Sequence, residues 1–202
     1  MEKFNNVLDF ARKTIETELY SLGKLTDYLD DNFSQAVEAI LQSKGRVVIT
    51  GIGKSAIIAQ KIVATMNSTG TPAIFMHAAD AIHGDLGMIQ SSDVVVCISK
   101  SGNTPEIKVL VPLLKRDQNP LIAITANKES FLATQSDYVL YAYTEREACP
   151  NNLAPTTSTT SQLVIGDALA VALMQVKAFG SADFAKYHPG GALGKRLYLT
   201  VG

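Results

Sequence analysis

Five consecutive apolar residues, Val94-Val95-Val96-Cys97-Ile98, stop abruptly at Ser99-Lys100-Ser101-Gly102-Asn103-Thr104, and Pro105-Glu106 then open a helical pattern. A strand that is apolar at every position has no solvent face. The sheet it joins is therefore covered on both sides, as a parallel sheet is by its crossover helices. Residues 46–50, 73–76, 121–125 and 138–141 are similar short runs. Between them lie apolar residues at helical spacing over 55–69, 105–116 and 129–134, and a further helix over 158–177 follows the last strand. Pro112 predicts a kink or a short last turn in the second of these. Residues 77–90 read as loop with room for a short helix, and 183–187 as one more turn.

The fold class is α/β: a three-layer sandwich with a five-stranded parallel sheet of expected order 2-1-3-4-5. Two helices, predicted over 2–22 and 26–44 and closed by Gly23 and Gly45, precede the first strand. They make 1–44 a helical arm on a single domain spanning 1–202, with an apolar face that a partner subunit could cover. In the order 2-1-3-4-5 the loops after strands one and three diverge at the switch point, where ligands bind beyond the carboxyl ends of the strands.

Both of those loops are glycine turns. After the third strand, Gly102 permits close backbone approach, while Ser99, Ser101, Asn103 and Thr104 offer neutral donors. The helix start adds free N–H groups and the positive end of its dipole. A phosphate is the natural guest. An ordinary capped turn, with Thr104 as N-cap and Pro105 at N1, would explain only two of these residues. After the first strand stands Gly51-x-Gly53-Lys54-Ser55. It lacks the four-residue glycine gap of a P-loop and the third glycine of a dinucleotide fingerprint.

With a net charge of −1 and no run of like charge, the chain is not expected to bind nucleic acid or a membrane surface. No apolar stretch is expected to approach the roughly 20 residues of a membrane span. The first residues lack a signal-peptide apolar region. Cys97 and Cys149 cannot form a metal framework alone and read as reduced thiols, so a cytoplasmic location is expected.

Taken together, Gly51-x-Gly53-x-Ser55 and Ser99-x-Ser101-Gly102-x-Thr104 resemble the two phosphosugar loops of the SIS (sugar isomerase) family, whose flavodoxin-like fold the strand order matches. Further segments resemble the D-arabinose-5-phosphate isomerases within it. They are His77, His83-Gly84-Asp85-Leu86-Gly87, Glu147-Ala148-Cys149-Pro150, Leu153 through Thr160, Gly166 through Ala170, and His188 through Gly194. The resemblance implies aldose–ketose interconversion of D-arabinose 5-phosphate and D-ribulose 5-phosphate, feeding Kdo synthesis for lipopolysaccharide. Common family members continue into paired CBS domains, so 202 residues are expected to be a short form or a truncated piece. SIS domains pair as dimers and often tetramers, so a homo-oligomer is expected, and feedback by CMP-Kdo in the same crevice is a further expectation.

Such a reaction passes through an enediolate and needs a carbon base, an acid–base group for the oxygens and charge stabilisation. By resemblance, Lys54, Glu106, Glu147 and His188 are the catalytic positions. Glu147 or His188 would be the base, Lys54 would stabilise negative charge, and Glu106 would bind hydroxyls or act as the second acid–base group. Gly53, Ser55, His77, His83, Ser99, Ser101, Gly102, Asn103 and Thr104 would bind substrate, with His83 also a candidate for ring opening. No cofactor and no metal is required. His77, His83 and His188 could gather a zinc ion, but no carboxylate or cysteine completes a set, and such an ion would be incidental or inhibitory. The hydroxyl-rich stretch Thr156–Thr160 would close over the substrate, from this subunit or a neighbour, and Gly190-Gly191 suits a mobile or tightly bent segment. The glycine loops specify phosphate but not the sugar. An isomerase for another sugar phosphate and a non-catalytic phosphosugar-sensing module are the alternatives.

Overall fold

The computed structural model describes residues 6–189. Five parallel strands, β1 (Val47–Gly51), β2 (Ala73–His77), β3 (Val94–Ile98), β4 (Leu121–Thr125) and β5 (Tyr138–Tyr141), form one sheet in the order β2-β1-β3-β4-β5. All residues of β1, β3 and β4 are buried, as their largely apolar runs require.

Alternate side chains along each strand feed two separate cores. Ile49, Val96, Ile98 and Ile124 face one layer, made by α2 (Asp31–Gln42), α3 (Lys54–Ser68) and α7 (Thr157–Val176). Val48, Val95, Cys97 and Ala123 face the other, made by α4 (Ala78–Ala81), α5 (Pro105–Arg116) and α6 (Phe131–Gln135). Helix α5 continues through Pro112 to Arg116. Gly166 lets α7 press against α3: a Cβ there would lie 2.5 Å from Ile62 Cγ1. A mid-helix glycine otherwise costs about 1 kcal/mol relative to alanine, so close packing is its compensation.

The helical arm differs from the expected one. Helix α1 (Val7–Lys24) continues through Gly23 and tightens into a 3₁₀ turn, Leu25–Tyr28. Helix α2 starts only at Asp31, because Asp30 caps it by accepting a hydrogen bond from Asn32 N–H at 3.0 Å. Much of α1 is left uncovered, with Leu8, Phe10, Ile15 and Leu19 exposed.

Helix α7 is 20 residues long and apolar enough to cross a membrane, contrary to the expectation of no such stretch. Its apolar residues Ile165, Leu169, Ala170 and Leu173 are instead buried in the first core. After it, α8 (Ser181–Tyr187) ends at His188. Gly190 and Gly191 lie outside the described residues.

Candidate active site

Gly51 and Ile98 are paired at the carboxyl ends of β1 and β3, so the two glycine loops leave the sheet side by side. Gly53 caps α3 at φ 57°, ψ −129°, a conformation that favours glycine, and a Cβ there would meet nothing within 4 Å. Gly102, at φ 62°, has a different task. A Cβ there would lie 2.5 Å from Ser130 Cβ, so this glycine is needed for packing against the start of α6 and not only for approach to a ligand.

Between the loops and the first turn of α7 lies a crevice of about 220 Å³. Lys54 and Ser55 line it from the first loop, Ser99, Lys100, Ser101 and Thr104 from the second, and Pro155, Ser158 and Thr159 from the approach to α7. Roomier hollows of about 330 and 450 Å³ run along α1 beside Lys13 and Arg146, but neither is lined by a strand-end glycine turn.

The hydroxyls in the crevice divide by what they already bond. Ser99 Oγ accepts from Gly102 N–H at 3.1 Å and so shapes the turn. Ser101 Oγ accepts from Asn103 N–H at 3.3 Å, and Ser55 Oγ donates to Gln162 at 3.1 Å. Thr104 occupies the N-cap position of α5 but makes no cap bond, so the capped-turn reading does not account for it. Its Oγ1 is buried without a hydrogen-bond partner among the described residues. Burying an unpaired hydroxyl costs about 1–3 kcal/mol, which an acceptor brought into the crevice would recover. Thr104→Val should therefore leave the melting temperature unchanged or slightly raised. It should weaken inorganic phosphate binding by roughly tenfold, about one hydrogen bond to a charged acceptor, read by titration calorimetry.

Glu147, in the loop after β5, is fully buried. Its Oε1 is 2.6 Å from Lys100 Nζ. Its Oε2 accepts from Thr156 N–H at 2.8 Å and from Ser158 N–H at 3.2 Å, both at the start of α7. Burial alone would raise its pKa. Lys100 and the donors of Ser158 and Thr156 outweigh that and hold the carboxyl at about 2. Glu147 is thus a carboxylate held against the back of the crevice wall through Lys100.

Three expected substrate contacts do not reach this wall. Asn103 is a brace: its Oδ1 accepts from Phe131 N–H at 3.0 Å and its Nδ2 donates to the Ser101 carbonyl at 3.2 Å. His77 ends β2 level with Gly51, its Nδ1 3.5 Å from Asp80 Oδ2, and His83 is exposed in the turn after α4. Glu106 sits half-exposed in the first turn of α5, two residues beyond Thr104.

Within its own chain His188 stands apart from the crevice. Its Nε2 is 2.9 Å from Ser68 Oγ, its Nδ1 2.8 Å from the Phe184 carbonyl, and its ring stacks on Phe184 at 3.8 Å. Ser68 closes α3 at the end opposite Lys54. At 1.5 Å per residue the intervening helix puts about 20 Å between His188 and its own crevice. The three histidines therefore do not gather, and no group of metal-binding side chains forms among the described residues.

Lys100, Ser158 and Thr159 complete the site. The hydroxyl-rich stretch before α7 signalled the last two, and they come from the same chain. Lys100 carries no such signal, since a lysine between two serines reads as solvated. Cys97 is buried, and burial pushes its thiol up to about 12, so it takes no part.

The model of the SIS domain matches residues 40–172. A probable arabinose 5-phosphate isomerase of Haemophilus influenzae is 51% identical over 196 residues, 97% of this chain and 58% of the relative. The arabinose 5-phosphate isomerase KdsD of Francisella tularensis is 50% identical over 200 residues, 98% of this chain and 60% of the relative. The chain thus spans about three fifths of the length of these curated relatives. Among solved structures, the c3406 protein of Escherichia coli CFT073 in complex with arabinose 5-phosphate superposes with a TM-score of 0.88 at 40% identity, covering 92% of this chain and 99% of that one.

Proposed function

The chain belongs to the SIS-domain family, and we propose that its crevice interconverts D-arabinose 5-phosphate and D-ribulose 5-phosphate through an enediolate. One observation carries the chemistry: Lys100 joins a buried carboxylate, Glu147, to a crevice that also holds Lys54 and the Thr104 hydroxyl, which is buried and unpartnered among the described residues. The sugar is carried by similarity to the H. influenzae and F. tularensis proteins.

In this reading the phosphate end rests on Ser101, Thr104 and Ser55 at the starts of α5 and α3, where helix N-termini favour an anion. Glu147 takes the proton from C2 of the open-chain aldose, leaving an enediolate with its charge on O1. Transfer of the O2 proton to O1 moves the charge to O2, and Glu147 returns its proton to C1, giving the ketose. Lys54 stabilises the negative oxygen, and Glu106 exchanges protons with O1 and O2. His188, about 20 Å from this crevice in its own chain, has no part in the intrachain scheme.

Kdo and lipopolysaccharide supply, a cytoplasmic location and assembly as a homotetramer accompany the reading. The exposed apolar residues of α1 are consistent with a subunit contact. Its test is an isomerase assay on a panel of aldose and ketose phosphates. Conversion of D-arabinose 5-phosphate at least about 100-fold faster than of hexose phosphates is expected, the scale of one hydroxymethylene's worth of transition-state discrimination. No turnover of arabinose 5-phosphate would overturn the reading. Faster turnover of another sugar phosphate would reassign the substrate within the family.

A further inference from the structure

The two oxygens of Glu147 have unequal partners. Oε2 is saturated by α7: it accepts from Thr156 N–H, Ser158 N–H and the Thr156 hydroxyl at 2.8, 3.2 and 3.2 Å. Oε1 has one partner among the described residues, the Lys100 ammonium. If Glu147 moves a proton, Oε1 is the oxygen able to do it, and Lys100 covers it.

Lys100 is fixed at its backbone and free at its tip. Its carbonyl accepts from Ala126 N–H and the Thr125 hydroxyl, both at 3.1 Å, which ties it to the end of β4. Its side chain is 44% exposed, against 1% for Glu147, and it lines the crevice between Ser99 and Ser101. An ammonium has three donors, and Glu147 Oε1 engages one. Lys100 lines the same crevice as the Thr104 hydroxyl, which has no partner among the described residues. A phosphate group seated there would compete for the same ammonium with more charge than a carboxylate has.

We propose that Lys100 is a positioning residue shared between Glu147 Oε1 and the phosphate of a bound sugar phosphate, so that seating the phosphate draws the ammonium off Oε1 and opens that oxygen to the proton in transit. The proposal deepens the isomerase reading and rests on it. It couples the two ends of the site: the non-reacting phosphate prepares the reacting carboxylate. The coupling is reciprocal, since whatever removes the carboxylate's claim on Lys100 makes the ammonium a better phosphate ligand.

Reciprocity supplies a test that needs no turnover. Inorganic phosphate is titrated by calorimetry at pH 7.5 into wild type, Lys100→Met, Glu147→Gln and the double variant, with circular dichroism as the folding control. Lys100→Met should weaken phosphate binding about tenfold, the loss of one charge-assisted contact. Glu147→Gln should tighten it several-fold by releasing Lys100. In the double variant that tightening should vanish. Wild-type or weaker affinity in Glu147→Gln overturns the proposal. So does wild-type affinity in Lys100→Met, or tightening that persists without Lys100, which would mark a plain charge effect. If Lys100→Met alone does not fold, the double variant, which buries no carboxylate, is compared with Glu147→Gln. Weaker binding in the double then supports the sharing, and equal binding refutes it. A failed sugar panel with these affinities as expected would remove the isomerase reading but leave the shared lysine. The reverse outcome would do the opposite.

Discussion

Glu147→Gln is expected to fold and to lose about 10²–10⁴-fold in kcat, the range for removing a general acid–base group. Glutamine keeps the volume, and its carbonyl oxygen can still accept from Thr156 and Ser158 N–H at the start of α7. Lys100 loses its countercharge but is exposed enough to turn to solvent. The variant should also fail to exchange the C2 proton of substrate with deuterated water in a single turnover. Unchanged exchange would exclude Glu147 as the base. The same substitution alters acid stability, with a definite sign. The folded carboxyl titrates at about 2 against 4.5 for an unperturbed glutamate. Its contribution is fully present above pH 4.5 and is lost as pH falls from 4.5 towards 2. The gap corresponds to at most about 3 kcal/mol, with the true figure lower where Lys100 is solvated. Unfolding curves for wild type and Glu147→Gln should therefore converge as pH falls through that window. Parallel curves would mean that Glu147 is not held as an anion.

Gly102→Ala should be the most damaging single-methyl change in the second loop. At φ 62° any side chain is strained, by about 1–2 kcal/mol, and this one would also press on Ser130. Ser130 cannot simply withdraw, because its Oγ caps α6 by accepting from Ala133 N–H and donates to the Asn127 carbonyl. A total of about 2–4 kcal/mol is expected, lowering the melting temperature by roughly 5–15 °C in a chain of this size. The loop bearing Thr104 and Lys100 would shift with it, so phosphate affinity should fall as well. Gly53→Ala at the other loop meets no neighbour and should show only the backbone strain. Equal losses at the two glycines would contradict this difference in their tasks.

The sheet was legible because its signal is local and redundant. Five apolar runs admit one strand count, and the parallel crossovers restrict the order, which places Gly53 and Gly102 at one switch point. The ends of the arm were not legible: Leu25-Thr26-Asp27-Tyr28 keep helical spacing while Asp30 restarts the helix. The site was legible where backbone conformation dictates the residue, as at Gly53, and where hydroxyls crowd a helix start, as before α7. It was illegible where a side chain's partner is distant in sequence. Lys100 and Glu147 are 47 positions apart, so nothing local to either reports that they pair. His188 sits beside Ser68, 120 positions away, and only the path of α8 decides that. Asn103 looked like a ligand donor because its tie to Phe131 is equally invisible in the chain.

The bonds that seat Glu147 also pinch off a loop. Glu147 and Ala148 bond to Thr156, so the chain between them starts and ends at one fixed point on α7. Within that ring Leu153 is 79% exposed, and closing a longer ring costs only a logarithmic increment of entropy. Inside the ring Asn152 Oδ1 accepts from Glu147 N–H at 2.7 Å, so the ring braces the backbone that seats the carboxylate, and only its outermost side chains, such as Leu153, face solvent. The segment therefore tolerates change at its surface, while its inner residues are fixed by the carboxylate they seat.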